Sequence, residues 1–349
     1  MKKRAHIIPR SAGHDHADWQ RQLAEGFRDA RSLLAWLGLP ARWADSAAEA
    51  AFPLRVPLAY ARRMRRRDPA DPLLRQVLPC AREREPAPGF VADPLEERGA
   101  NPLPGLLHKY AGRALLVTTG ACAVHCRYCF RRHFPYAEQR LDGDRLEALV
   151  RWLQDHPEIR EVILSGGDPL TLANARLARL LARLEALPSL ARLRIHTRLP
   201  VVLPDRVDDG LLDLARHSRL PWVLVIHANH PREIDAHVID ACRRLDAAGV
   251  RLLNQSVLLA GVNDDAETLA ALSERLFDAR VLPYYLHLLD PVAGAAHFRV
   301  STRTALAIQA RLRARLPGYL VPRLVRETPG APAKVPLSPV DKDVPSPDE

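Results

Sequence analysis

The sequence predicts an α/β fold, a partial (β/α)6-type TIM barrel with an N-terminal helical region. Three observations carry this. Six short apolar runs recur between residues 114 and 289, amphipathic stretches separate them, and polar residues with chemical potential gather directly after the runs. Parallel strands need a long crossover between them, so this alternation implies a parallel sheet covered by helices. In a barrel, functional residues collect at the C-terminal ends of the strands. A doubly wound open sheet fits the same alternation.

Residues 1–105 read as helices interrupted by prolines. "DWQRQLAEGFRDARSLLAWLGL" (18–39) and "LAYARRMRRR" (58–67) carry apolar residues at helical spacing. Pro72, Pro79, Pro86, Pro88 and Pro94 then mark an irregular connection. The core spans residues 106–327. Its predicted strands are "ALLVTT" (114–119), "EVILSG" (161–166), "RLRIHT" (192–197), "WVLVIHA" (222–228), "RLLNQSVLL" (251–259) and "PYYLHLL" (283–289). Between them lie the amphipathic stretches "DRLEALVRWLQDH", "LANARLARLLARLEAL", "DGLLDLARHS", "REIDAHVIDACRRLDAAG" and "DAETLAALSERLFDA". A last helix near 301–315 leads to "GYLVPRLV". Residues 328–349 hold a lysine-bearing loop and a Pro-rich tail, "VPLSPVDKDVPSPDE", read as disordered.

Composition narrows the function classes. Hydrophobic content of 47% and charged content of 26% are ordinary for a soluble globular protein. No apolar run is long enough to span a bilayer. The start, "MKKRAHIIPRSAGHDHADWQ", lacks the apolar stretch of a secretory signal, so a cytoplasmic location follows by default. The net charge of +10 invites nucleic-acid binding, but arginine is spread along the whole chain. The densest run, "ARRMRRRD" (61–68), reads as a solvated face, with a docking surface for an acidic partner left open. Five cysteines, three of them clustered, do not make a disulfide framework and point to metal or redox chemistry. Only five residues are lysine, so Lys109 and Lys334, the two between the termini, stand out.

Cys122, Cys126 and Cys129 follow the first predicted strand at C-x3-C-x2-C spacing. Thiolates suit zinc or iron–sulfur clusters. Structural zinc takes four ligands, and here a fourth could come only from His125, His133 or a distant residue. A cubane held by three cysteines instead leaves one iron open. "LSGGDPL" (164–170) ends the second strand; Asp168 could cap the next helix, and Gly166 and Gly167 let the backbone approach a ligand. Lys334, in the Gly/Pro-rich "TPGAPAKVP" (328–336), is a candidate Schiff-base residue for pyridoxal phosphate or an exposed loop lysine. In "HKYAGR" (108–113), Lys109 and Arg113 could grip a phosphate or lie on the surface. Asp290 and Glu327 follow predicted strands, where two acids could hold a substrate ammonium or serve as caps. His227, His230, Asn254 and Gln255 fall at or near strand ends, in "HANHP" (227–231) and "NQSVLLAGVND" (254–264).

Together these residues form a known pattern. The three-cysteine motif after the first strand resembles the signature of the radical S-adenosylmethionine (SAM) enzymes. The chain resembles the lysine 2,3-aminomutase family across nearly all of residues 100–336, through "KYAGRALLVTTGACAVHCRYCFRRHF", "ILSGGDPL", "HANHP", "NQSVLLAGVND" and the lysine loop. The runs "FPLRVPLAYARRM", "DPLLRQVLP" and "GLLHKY" resemble the branch that acts in β-lysylation of elongation factor P (EF-P).

That resemblance implies specific roles. Cys122, Cys126 and Cys129 would bind a [4Fe–4S] cluster. Ser165, Gly166, Gly167 and Asp168 would lie by SAM, with His230 near. Asn254 and Gln255 would border the cofactors. Lys334 would carry pyridoxal 5′-phosphate, and Lys109, Tyr110 and Arg113 would approach its phosphate. Arg131 would bind the substrate carboxylate, and Asp290 and Glu327 the ε-ammonium of L-lysine. The implied reaction moves the amino group of L-α-lysine from the α- to the β-carbon by radical chemistry. The implied partners are L-lysine, an electron donor such as flavodoxin or ferredoxin, and, functionally, an EF-P lysyl ligase and EF-P. Membrane and nucleic acid are not among them. Where catabolic relatives carry Asp and a glycine run, this chain has "ETPGAPAK", with Glu327 reaching one methylene further. Their cysteine-rich, zinc-binding extension has no counterpart in "VPSPDE", so no zinc is expected. The alternatives are a stand-alone aminomutase making β-lysine as a metabolite, and a non-enzymatic iron–sulfur or nucleic-acid-binding module.

Overall fold

A computed structural model describes residues 19–139, 141 and 143–338. The basic start and most of the predicted tail lie outside the described residues. Nine strands form one sheet in chain order: β1 (Leu106–Tyr110), β2 (Arg113–Thr119), β3 (Glu161–Gly166), β4 (Arg192–Thr197), β5 (Trp222–Ile226), β6 (Arg251–Val257), β7 (Leu282–His287), β8 (Arg323–Arg326) and β9 (Val335–Pro336). Neighbours from β2 to β8 are parallel, whereas β1 and β9 pair antiparallel at the two edges. The order never reverses, which removes the doubly wound alternative, because that arrangement needs a switch point. Right-handed crossovers then keep the helices on one face. Residues from β1 to β7 line a single cavity, so the sheet wraps around it as a partial barrel.

The six predicted strands are β2 to β7. Three further strands escaped prediction. "LLHKY" pairs as β1 in a hairpin with β2, β8 follows the last helix, and Val335–Pro336 add as β9 rather than starting a disordered tail.

Four of the crossover helices start where a side chain takes up a free backbone N–H. Asp208, Asp235, Asp265 and Ser301 each accept from the amide three residues on, at 2.7, 3.0, 2.8 and 3.1 Å. Their apolar faces follow helical spacing, as with Leu177, Leu180, Leu181 and Leu184 in the helix Asn174–Glu185. β4 alternates the other way. Leu193, Ile195 and Thr197 are buried, while Arg194 and His196 turn toward the cavity and are half-buried. Period-two alternation thus separates the packed outer face from a polar interior.

The N-terminal region departs from the predicted helices. Residues 19–39 hold two helices, Trp19–Glu25 and Ala30–Leu37, broken where Phe27 pairs with Val56. Gly26 is required there, because a Cβ would lie 2.9 Å from the Val56 carbonyl oxygen. Asp29 then caps the second helix. In "LAYARRMRRR" only Leu58–Ala61 is helical. Beyond it Arg67 adopts a left-handed φ of 59°, and the Arg63 guanidinium reaches the carbonyls of Val201 (2.6 Å) and Glu233. Arg62, Arg65, Arg66 and Arg67 are exposed, but the Arg63 side chain is only 8% exposed, so the run is only in part the solvated face expected. Among the described residues no helix is long and apolar enough to cross a membrane.

Candidate active site

The cavity encloses ≈ 340 Å³ at the C-terminal ends of the strands. It gathers Lys109, Tyr110, Arg113, Cys122, Cys126, Cys129, Arg131, Ser165, Gly166, Gly167, Asp168, Gln255, Asp290, Glu327 and Lys334. Those are fifteen of the seventeen predicted site residues, drawn from segments more than 200 positions apart. Two do not reach it. Asn254 is buried and ties β5 to β6, accepting from Ala228 N–H at 2.9 Å and donating to the Ser256 hydroxyl at 2.9 Å. His230 caps the short turn Pro231–Glu233, its Nδ1 accepting from Arg232 N–H at 3.1 Å.

The cysteines stand on an irregular loop, so something other than a backbone ladder must fix it. The arginines do. Arg127 forks onto Glu83 (Nε–Oε1 2.9 Å, Nη2–Oε2 2.6 Å) and donates to the carbonyl oxygens of Phe52 and Ala48. Arg132 joins the same carboxylate at 2.7 Å. Such bidentate charge-assisted pairs fix orientation as well as distance. Cys80, Cys242, His125 and His133 stay off the cavity wall: His125 bonds the Pro53 carbonyl, His133 the Ala293 carbonyl, and Cys242 is a core residue. Burial, Cys129, Asp168 and Cys126 push the Cys122 thiol up, and burial and Cys126 push Cys129 up to about 11. The three sulfurs therefore feel one another. Among the described residues no three His, Cys, Asp or Glu side chains converge on a single metal ion. Cysteines that bind different irons of a cubane need no such convergence.

The Gly-Gly-Asp turn after β3 does its work against the protein itself. A Cβ on Gly167 would lie 2.3 Å from the Ala121 carbonyl oxygen, and Gly166 has a φ of 115°. Asp168 is filled by four donors: Leu170 N–H (3.0 Å), the Thr197 hydroxyl (2.6 Å), Arg198 N–H (2.7 Å) and Leu199 N–H (3.2 Å). Its carboxylate therefore stitches the end of β3 to the end of β4, as the capping alternative anticipated.

Charges alternate along the opposite wall. Arg131 forks onto Glu97 (2.6 and 2.8 Å) and donates to the Ser165 hydroxyl at 3.1 Å. Lys109 lies between Glu97 (3.1 Å) and Glu327 (3.3 Å). Glu327 also accepts from the Tyr110 hydroxyl at 3.2 Å and pairs with Lys334. Burial raises the Glu327 carboxyl, but Lys334 and Lys109 outweigh it and bring it down to about 2. Asp290 is the opposite case: burial and the nearby Glu327 charge raise it to about 7. Lys109 is thus paired with two carboxylates, and of the described cations that line the cavity the one without an ion pair is Arg113, stacked 4.5 Å from the centre of the Tyr110 ring. A second cavity, between residues 95–100 and 328–331, shares Lys109, Tyr110 and Glu327 with the first.

Neutral imidazoles line the space between. Burial, then Arg198, brings His227 down to about 3, and Gln255 contacts its Nε2 at 2.8 Å. Burial also keeps His196 and His287 well below their usual range, and the Nε2 atom of each has no hydrogen-bond partner. Glu97 and Arg198, each 5% exposed or less, went unnoticed in the sequence. Arg198 directly follows a strand, which is the positional signal that could have found it. Glu97 offers no local signal at all.

Residues 116–272 match the Radical SAM superfamily. The fold and the three-cysteine loop therefore define a radical SAM protein, a class that works with a [4Fe–4S] cluster and SAM. The chain is 49% identical over 336 residues to the L-lysine 2,3-aminomutase of Escherichia coli (strain K12), covering 95% of this chain and 98% of that protein. It is 47% identical over 322 residues to the L-lysine 2,3-aminomutase of Haemophilus influenzae, covering 92% and 95%. To the L-lysine 2,3-aminomutase of Clostridium subterminale it is 34% identical, covering 97% of this chain and 82% of that protein. The chain belongs to the L-lysine 2,3-aminomutase family, whose members are isomerases.

Proposed function

We propose that the chain converts L-α-lysine to β-lysine, with a cluster on Cys122, Cys126 and Cys129 and pyridoxal phosphate on Lys334, and that the β-lysine serves modification of EF-P. The observation that carries the reaction is the shared cavity: three thiols at one end, a lysine amine beside two carboxylates at the other. The residues fit the groups. The Cys122 and Cys129 thiols, raised by burial and by neighbouring cysteines, would ionise beside a bound cation's charge, which iron supplies. The unpartnered imidazole nitrogens of His196 and His287 and the unpaired Arg113 suit a flat heterocycle bearing a phosphate. When bound, the cluster with SAM supplies radical hydrogen abstraction, and pyridoxal phosphate supplies the carrier for the migrating amino group.

The chain's own residues then bind, orient and exclude water. Glu327 already accepts one ammonium, that of Lys334, and with Asp290 forms the acidic pair for the ε-ammonium of the substrate. Arg131 supplies the guanidinium fork for the substrate carboxylate, with Glu97 holding that fork in the free protein. The Tyr285 ring centre lies 5.9 Å from Lys334 Nζ, a cation–π distance that positions the amine. The EF-P role rests on the N-terminal runs that resemble that branch, and the electron would come from a flavodoxin or ferredoxin.

The test is anaerobic reconstitution with iron and sulfide, followed by pyridoxal phosphate, SAM, dithionite and L-lysine, with β-lysine read by mass spectrometry. Product that vanishes in Cys126→Ala and in Lys334→Ala is expected. No product, with both chromophores present by absorbance, would sink the free-lysine reaction. Deleting the gene and weighing EF-P tests the second part: an unchanged β-lysyl mass would leave a metabolic aminomutase instead.

A further inference from the structure

Arg198 directly follows β4 and is 5% exposed. Its Nη1 donates to Cys126 Sγ at 2.8 Å. Its Nη2 is held from other directions by Glu233 Oε2 (2.8 Å), Gln76 Oε1 (2.7 Å) and the Tyr60 hydroxyl (3.3 Å). Its backbone N–H is fixed by Asp168 at 2.7 Å, and the rings of Tyr60 and Tyr128 flank the guanidinium at 5.3 and 5.8 Å. The position of the fork is thus over-determined by groups other than the cysteine. The buried Nε–H has no partner, and Arg198 lines the same cavity. Arg127, Arg131 and Arg132, on the cysteine loop itself, spend their forks on Glu83 and Glu97. A cation has therefore been carried to the Cys126 sulfur from a different strand.

We propose that Arg198 is a redox-tuning residue, raising the reduction potential of the cluster through its hydrogen bond and charge on Cys126. The proposal rests on the reading that the three cysteines hold that cluster. A thiolate-bound cubane is negatively charged overall and becomes more so when it takes one electron from an external reductant. Net charge and hydrogen bonds to sulfur set its potential. A fixed cation beside one sulfur favours the reduced state. Glu233 does not cancel this, because it binds the far nitrogen, leaving the positive end of the pair toward the sulfur. No bond forms or breaks at Arg198, and no proton moves, since a guanidinium stays protonated.

The experiment compares the reconstituted full chain with Arg198→Lys, Arg198→Gln and the double variant Arg198→Gln/Glu233→Gln. The double variant leaves no unpaired buried carboxylate and guards against misfolding. Each sample is poised with dithionite and mediators, without SAM or lysine, and the reduced cluster is quantified by electron paramagnetic resonance. At a fixed potential the ratio of reduced to oxidised cluster should fall about tenfold in both Gln variants, equivalent to about 59 mV for one electron. Arg198→Lys should fall less, because it keeps the charge and loses the fork. Equal midpoints in all four proteins would overturn the proposal. So would loss of the cluster from the variants with circular dichroism unchanged, which would make Arg198 an assembly residue. Absence of a cluster in the unsubstituted protein would instead overturn the underlying reading, and its missing absorbance distinguishes that failure.

Discussion

At the cysteine end of the cavity, Asp168 accepts four hydrogen bonds, and Arg198 is gripped by Glu233, Gln76 and Tyr60. Every one of those partners is a fixed part of the scaffold. At the lysine end, Arg131, Glu97, Lys109, Glu327 and Lys334 form a row in which each charge is answered by the next. Here the partners are groups of the kind a zwitterionic amino acid would bring: a carboxylate on Arg131, an ammonium on Glu327. The first end is built to stay as it is and the second to exchange partners. Buried polar groups that are fully satisfied rigidify a site, whereas ion pairs lying open to a cavity can be replaced by a ligand of matching charge.

The contrast can be broken at several points. The largest effect is expected at Glu327. In Glu327→Ala, kcat/KM for lysine should fall by about 2–5 kcal/mol of binding, or roughly thirtyfold or more, with the folded state retained by circular dichroism. An equal loss of stability and activity would mean that the row is scaffold too. Next is Arg113→Ala, which should weaken pyridoxal phosphate binding by about 1.5–3 kcal/mol in an absorbance titration, the range of a charge-assisted bond. Lys109→Ala should do less, because Lys109 is already paired with two carboxylates. At the other end the readout changes. Asp168→Asn should lower unfolding free energy by about 1–3 kcal/mol in chemical denaturation, since an amide NH2 must then face backbone donors.

The smallest effect is a pH dependence. With Asp290 raised to about 7 by burial and by Glu327, the substrate-free carboxyl is neutral below that pH. Binding an ammonium then requires ionising it, so KM for lysine should rise as pH falls through about 7, approaching tenfold per unit, and level off above it. Asp290→Asn should remove that slope; a slope that survives belongs to another group.

Much of this architecture was legible because it is periodic or local. β2 to β7 announced themselves as apolar runs between amphipathic helices, and the cysteines and Lys334 by their spacing and scarcity. What stayed hidden depends on distant contacts. The helix break at Gly26 is set by Val56, and the early end after Ala61 by carbonyls of Val201 and Glu233. Asp168 looked like a ligand-binding acid as readily as a cap until its four donors were visible. Glu97 meets Arg131 across 34 positions, and Arg198 meets Cys126 across 72, so no window on the chain contains either pair. In a chain this rich in arginine, composition hides those that matter.

The hydrogen-bonded ladder that begins at β1 and ends at β9 does not join its own ends. Lys109 and Tyr110, on β1, meet Glu327, just beyond β8, across that opening. The two edges therefore meet through side chains, and the second cavity is lined by the same three residues. A barrel closed by backbone has a circumference fixed by its register. Here side chains make that contact, so Glu327→Ala, which removes a substrate-binding carboxylate, would also remove the link between the first strand and the end of β8.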